Sequence, residues 1–465
     1  MTKPLWYLLV LTIPFGIRTF ISGPAEFSEY ASIFLYASDI ILFLFVLSVL
    51  PGLLNDVRAR PWKGTLLVFL LFAAVSVVSC SLFVVSLAAL LRLALLVGAA
   101  VGARKLLQNV SVFNTTLVLV ALLALFQATV AIMQFTAQGP VGLGVLGESP
   151  ISIADPGTAK ITVEGARFIR AYGTMPDPNI LAGFLLIGLG ALAYLLLKAD
   201  KGLYVDAFDK TRSLSVNFQK YLMNRLLYGR IVISAAMFIV SMGLIFTFSR
   251  SGWASAALAM VILLIPAFRQ SMRAAGRFLA LLLIMAGALY YFFSPLIIAR
   301  TGLSASEPSV SYRVEYTKIG VEQLTSSPLI GVGIGSQVQE AIEKGRYASH
   351  GMTRAWESQP VHNLYLLIAV EIGVIGALSF IAFLAIVMWR LTRNKSFESG
   401  FALSLLVGLL FFGLFDHFLW DLQAGKMMLW VAIAIALASY ENTPPEADQP
   451  LAEKKLRKYE IKMRP

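Results

Sequence analysis

Apolar residues in this chain gather in long runs parted by short polar stretches. A helix needs about 20 apolar residues to cross the hydrocarbon of a bilayer. On that ruler the runs fall near 4–22, 31–50, 64–79, 82–103, 112–135, 179–198, 231–249, 252–266, 278–294, 363–389, 400–415 and 425–440, which predicts about twelve crossings. The third and fourth come from one run, Thr65 to Ala103, too long for a single span; the small polar turn Ser79-Cys80-Ser81 divides it. The layout expected is helices one to nine within 1–294 with an outer loop near 136–178, an outer segment over 295–361, helices ten to twelve within 362–440, and a basic cytoplasmic tail over 441–465. This is an all-α polytopic membrane protein with short helices in its large outer loop.

Composition agrees: 58% hydrophobic residues, 14% charged and a mean hydropathy of +0.77 exclude a water-soluble domain of this length. The net charge of +12 is explained by sidedness. With the N-terminus inside, the loops holding Arg58, Arg60 and Lys63, Arg104 and Lys105, Lys198 to Arg230, Arg269 to Arg277, and Arg390 to Lys395 all face the cytoplasm, as does the tail. No nucleic-acid partner is needed, and the tail's lysines suit anionic lipid. The first run lacks a small-x-small cleavage site and is followed by Pro14 and Arg18, so it reads as an uncleaved anchor. A lone cysteine, Cys80, excludes an intrachain disulfide.

Candidate chemistry sits on the outer face. Arg354 to Pro360 form a polar segment that stops at His362-Asn363, where an apolar run reaching Trp389 begins. His362 thus stands between water and a buried helix, a position suited to proton transfer. The turn Ser249-Arg250-Ser251-Gly252 pins Arg250 at the outer surface with Trp253 beside it, against the sidedness rule; a planar guanidinium there suits phosphate oxygens. Glycines and prolines argue against regular structure over 136–178, until Asp177-Pro178-Asn179 starts the sixth helix just after Arg167 and Arg170. An amphipathic helix is expected over about 310–324, started by Arg313, with Val314, Ile319, Val321 and Leu324 as its apolar side. The glycine string 331–335 lacks a P-loop lysine and is no nucleotide loop. His350, His417, Asp416 and Asp421 share the outer face without a metal-type spacing, so no metal is expected. Asp416 or Asp421 could orient His362 or pair with an arginine, and Glu371 could bind Arg92 or Arg250 or cap a polar network.

The stretches RAYGTMPDPNILAGFLL, FTFSRSGW, SYR…SSPLIGVGIG and PVHNLYLLIAVEIGVIGALSF, in that order among the helices, resemble the O-antigen ligase and polymerase superfamily. The resemblance covers roughly residues 165–390 through HN-x-Y-L with E-x-G-x-x-G, and independently through SRSGW. It departs at Leu367, where glutamine is usual, and shows no distinguishing motif in the N-terminal third. It implies a GT-C-like glycosyltransferase of the bacterial cytoplasmic membrane, acting at its outer face on a polyprenyl-pyrophosphate-linked glycan, without metal or cofactor. It further implies that Arg170 and Arg250 engage the pyrophosphate, with Arg313 at another often basic position, and that His362 acts at the reacting centre. Asn363, Trp253 and Glu371 would support them.

The residues themselves agree with that implication. Fixed arginines can stabilise a departing pyrophosphate, an imidazole can activate an acceptor hydroxyl, and in-line attack inverts the anomeric centre. The acceptor would be a lipid-linked core (ligase) or another glycan chain (polymerase), with protein O-oligosaccharyl transfer a third outcome. A lipid-linked-oligosaccharide transporter is the competing class, but such proteins usually carry internal repeats with matching broken helices, and neither is visible here.

Overall fold

The apolar runs fold as helices except where proline and glycine intervene. The computed structural model describes residues 2–23, 29–30, 32–56, 58, 60–199, 229–302 and 308–441. The basic residues expected inside at Lys201, Lys210, Arg212, Lys220 and Arg225, and the basic tail from Lys454 to Arg464, lie outside these.

The first expected crossing, 4–22, is only partly helical. Helix α1 (Thr2–Thr12) ends before Pro14 and Gly16, and the chain continues as strand β1 (Arg18–Ser22), paired antiparallel with β2 (Ile33–Tyr36). Proline withholds the N–H that another helical turn requires, and glycine is a poor helix former. Then come α2 (Ala37–Leu54), α3 (Pro61–Ser76), α4 (Phe83–Leu107) and α5 (Val110–Ala137). A single 3-10 turn, Val77–Ser79, precedes the break between α3 and α4, at the small polar turn that divides the long run.

The stretch 136–178, expected to be irregular, contains a second hairpin, β3 (Lys160–Val163) with β4 (Ala166–Ile169). Its turn, Glu164-Gly165, has φ of 50° and 83°, the left-handed pair that a tight hairpin of this twist demands. Next follow α6 (Pro178–Ala199), α7 (Arg230–Phe246), α8 (Arg250–Gln270), α9 (Met272–Thr301), α10 (Pro308–Ser326), the short α11 (Gln337–Glu343) and α12 (Arg346–Ser349), α13 (Leu364–Arg393), α14 (Phe397–Phe412), the short α15 (Phe418–Asp421) and α16 (Gln423–Glu441). Among the described residues nine helices, α2 to α6, α8, α9, α13 and α16, are long and apolar enough to cross a membrane, and α7 and α14 are shorter apolar helices. Helix α6 is the axis of the bundle. It is buried along its whole length and packs on α5, α7, α8 and α14.

Helix α10 spans the range expected for an amphipathic helix but buries a different face. Tyr316, Ile319 and Gln323 turn inward, while Val314 and Val321 are exposed. Polar groups decide this: Tyr316 donates its hydroxyl to the Glu357 carbonyl (2.9 Å), and Gln323 donates to the Gln337 carbonyl (2.8 Å). Tyr316 and Ile319 then join Val338, Ala341, Tyr347 and Met352 in a small core of their own under the outer segment.

That segment is seated on α13 by a backbone joint. Helix α13 is broken at Gly373 (φ 78°, ψ 166°), a conformation essentially confined to glycine. The freed carbonyls of Val370 and Glu371 accept from the N–H groups of Val332 (2.9 Å) and Gly333 (3.0 Å), and Val374 N–H donates to the Pro328 carbonyl (2.9 Å). The Glu371 carboxylate accepts from Gly335 N–H (2.8 Å) and from Trp420 Nε1 (2.7 Å). The glycine string 331–335 and the E-x-G-x-x-G motif are therefore two halves of one joint.

Candidate functional site

One end of the bundle gathers the loop before α6, the starts of α8 and α13, the exposed side of α10 and the end of α14. Arg170 lies just after β4. Its Nε donates to the Thr247 carbonyl (2.7 Å) and its Nη2 to Asn179 Oδ1 (2.8 Å). Two buried glutamines of α5 fix the adjoining backbone: Gln134 accepts from Tyr172 and Gly173 N–H, and Gln127 accepts from Thr174 N–H. Arg250 is the first residue of α8, capped by the Ser249 hydroxyl, which accepts from Gly252 N–H (3.2 Å). Trp253 donates to the Leu244 carbonyl (2.8 Å) and pins the α7–α8 turn. The Arg250 guanidinium donates to the Gly302 carbonyl (3.1 Å).

His362 and Asn363 precede α13. Asn363 is its cap, accepting from Leu366 N–H (2.9 Å) and donating to the Leu414 carbonyl (2.9 Å), so this segment is tied to the end of α14. The His362 ring stacks on Tyr316 of α10 (centres 5.3 Å apart, planes at 14°), and its Nδ1 lies 2.9 Å from the Pro360 carbonyl. A carbonyl only accepts, so Nδ1 carries the proton of the neutral ring and Nε2 is its basic atom.

Arg170, Arg250, Arg313 and His362 line one cavity of about 840 Å³, together with Asn363 and Trp253. Leu366, Phe411, Leu414 and Phe415 give it an apolar side, on which Leu414 and Phe415 are more than two-fifths exposed. Arg300, at the end of α9, also lines it and donates its Nε to the Phe248 carbonyl (2.9 Å). Sequence reading missed Arg300 because it ends a long apolar run and looks like any interfacial arginine. Glu371 lies elsewhere, in a separate cavity of about 110 Å³ with Arg92, Asp421 and Lys426. It binds neither arginine considered for it: Arg92 pairs with Asp39 at 2.7 Å, while Glu371 holds the joint and Trp420. His350 is also outside the site, bridging Glu315 (2.8 Å) and Glu322 (2.9 Å) beside α10, and those carboxylates raise its pKa.

The turn after α14 sets the electrostatics. Asp416 Oδ2 accepts from Asn179 Nδ2 (2.7 Å) and lies 3.8 Å from Arg313. Burial alone would raise its pKa, but His417, His362 and Arg313 hold it below the usual carboxylate value. His417 Nδ1 stands 2.7 Å from Asp421 Oδ2. Burial works against the His417 charge, yet Asp421 and Asp416 lift its pKa to about 9. His362 moves the other way, depressed by burial and then by His417. Arg170, lowered by burial to about 10, keeps its charge at neutral pH. Among the described residues no three His, Cys, Asp or Glu side chains are placed to hold a metal ion.

Residues 235–381 match the family described as O-antigen ligase, a stretch that carries Arg250, Arg313 and His362 but not Arg170, Asp416 or His417. No curated protein matches the chain. Over that stretch the chain is similar to the O-antigen ligase family, and among its described residues nine helices are long and apolar enough to cross a membrane.

Proposed function

We propose that the chain is a GT-C-type glycosyltransferase that moves a glycan en bloc from a polyprenyl-pyrophosphate carrier to an acceptor hydroxyl at the outer face of the bacterial cytoplasmic membrane. One observation carries this reading: Arg170, Arg250, Arg313 and His362 share a cavity one side of which, formed by Leu366, Phe411, Leu414 and Phe415, is apolar. A diphosphate requires fixed cations, a polyprenyl chain requires apolar surface, and the acceptor requires a base. The proposed sidedness is supported by Arg60, Lys63, Arg104, Lys105, Arg390 and Arg393 at the ends of α3, α4 and α13 away from the cavity, since basic residues favour the cytoplasmic face.

In the proposed step His362 Nε2 takes the proton of the acceptor hydroxyl as its oxygen attacks the anomeric carbon. The bond from that carbon to the diphosphate oxygen breaks, its electron pair leaves on the diphosphate, and the anomeric centre inverts. A positioned base contributes about 10²–10⁴-fold. Each charge-assisted contact to the leaving group adds on the order of 1.5–3 kcal/mol, and more where preorganised charge meets a developing anion away from water. The N-terminus of α8, which begins at Arg250, adds N–H groups and a favourable dipole on the same wall.

The test is purified protein with a lipid-linked glycan and a lipid-core acceptor, following free polyprenyl pyrophosphate and the glycosylated product. His362→Ala and Arg250→Ala should abolish both while the protein stays folded. Wild-type turnover in a well-folded His362→Ala variant would sink the assignment. Product built only on a second glycan chain would make the enzyme a polymerase.

A further inference from the structure

The mechanism above leaves His417 unused, although its ring packs against that of His362. Its ring stands edge-on to that of His362, with centres 4.6 Å apart and planes at 81°. It is buried and does not line the cavity, so it cannot touch substrate there. Several groups face the two rings: Arg313 and Tyr316 from α10, Asp177 from the loop before α6, Asp416 and Asp421 from the turn itself, and Tyr30 from the N-terminal segment.

The two imidazoles have unequal partners. His417 has the Asp421 carboxylate at 2.7 Å and follows Asp416 directly in the chain. His362 has the Pro360 carbonyl on Nδ1 and the face of Tyr316, with Arg313 on the same wall. Two adjacent imidazoles in a buried site repel when both are charged, so one proton settles where the carboxylates are.

From this geometry we infer that His417 is a positioning residue for the transfer: an imidazolium anchored by Asp421 whose charge keeps the adjoining His362 unprotonated and ready to accept the acceptor's proton. The inference rests on His362 being the base. After each turnover the proton that His362 has taken passes to solvent in the cavity, and the neighbouring cation disfavours its retention. The opposite directions in which the two rings titrate agree with this division. Sign follows: removing the charge at 417 raises the pKa of His362, so its basic form is lost at higher pH than in the wild type.

The experiment uses the full chain in lipid nanodiscs. Three histidines are present, so ring-labelled histidine NMR with His350→Gln as background resolves the remaining two. His417→Gln should move the His362 titration upward by about one unit or more, and the acid limb of kcat/KM with it. His417→Lys, which restores a cation, should return both towards wild type; Asp421→Asn should shift them in the same direction as His417→Gln. Thermal unfolding of each variant identifies any that fails to fold, and His417→Lys against His417→Gln separates charge from packing. An unmoved His362 titration in folded His417→Gln, or the same shift in His417→Lys, would overturn the inference while an inactive His362→Ala leaves the transferase reading standing. An active His362→Ala would instead remove the base and the inference together.

Discussion

Arginine is used in opposite ways at the two ends of the bundle. At the basic end Arg104 is fully buried and meets carboxylates: Asp56, at short range, and Glu441 at 3.4 Å. Arg60 pairs with the same Glu441 and Lys198 with Glu398. At the cavity end Arg170 spends its donors on the Thr247 carbonyl and the Asn179 amide oxygen, neutral groups that fix a guanidinium without cancelling its charge. One end stitches helices together through ion pairs; at the other Arg170 has neutral hydrogen-bond partners, while Arg313 stands 3.8 Å from Asp416. The lesson is that counting arginines says little about function until the partner of each is known, because a carboxylate and a carbonyl leave different net fields.

Four measurements sharpen or break that contrast. Arg170→Ala should cost about 10²–10³-fold in transfer per folded molecule, as loss of one preorganised donor does, with a fall in melting temperature smaller than that of Arg104→Ala; a loss under about threefold would show that the cavity arginine is structural. Arg104→Ala should do the reverse. Removing one partner of a buried ion pair costs about 3–5 kcal/mol, read as a lower melting temperature, while surviving folded protein keeps its transfer rate; a rate collapse with intact stability would contradict the division. Gly373→Ala forces a side chain into a glycine-only conformation facing the Leu329 carbonyl. The cost is about 1–3 kcal/mol, and the segment 308–361 should become easier to proteolyse; unchanged proteolysis would mean that the joint does not secure it.

The smallest effect concerns His350. Its pKa is raised by Glu315 and Glu322, so its contribution to stability is fully present below the ordinary histidine range and is lost as pH rises through the elevated value. Hydrogen exchange in α10 and α12, corrected for the intrinsic rise of exchange with pH, should quicken as pH rises through that elevated value, and His350→Gln should erase that dependence. A wild-type profile in the variant would rule out the histidine as its source.

Much of the bundle is legible in the sequence because hydrocarbon imposes length and composition on what crosses it. The break at Ser79-Cys80-Ser81, the start of α6 at Pro178 and the start of α13 after Asn363 are all marked by local residues. The first run misleads because Ile13, Phe15 and Ile17 carry the apolar character of α1 on towards β1, and Pro14, Gly16 and Arg18 betray the change. The hairpin at Glu164-Gly165 carries a readable turn signal that a glycine- and proline-rich setting obscures. In the site, His362, Arg250, Arg170 and Arg313 stand out as polar residues at the ends of apolar runs. Their association with Asp416 and His417, the anchoring by Gln127 and Gln134, and the use of Glu371 in a joint depend on partners far away in the chain, which no local pattern specifies.

The joint between the glycine string and α13 also dictates an order of assembly. Its seat is built from residues made at very different times: Ser79, whose hydroxyl donates to the Gly331 carbonyl (2.9 Å), and Ser76, which accepts from Ile334 N–H (3.1 Å), are synthesised early, while Glu371 and Gly373 come late. Docking of the segment 308–361 therefore waits until α13 has been made, and the turn bearing Asp416 and His417 comes later still.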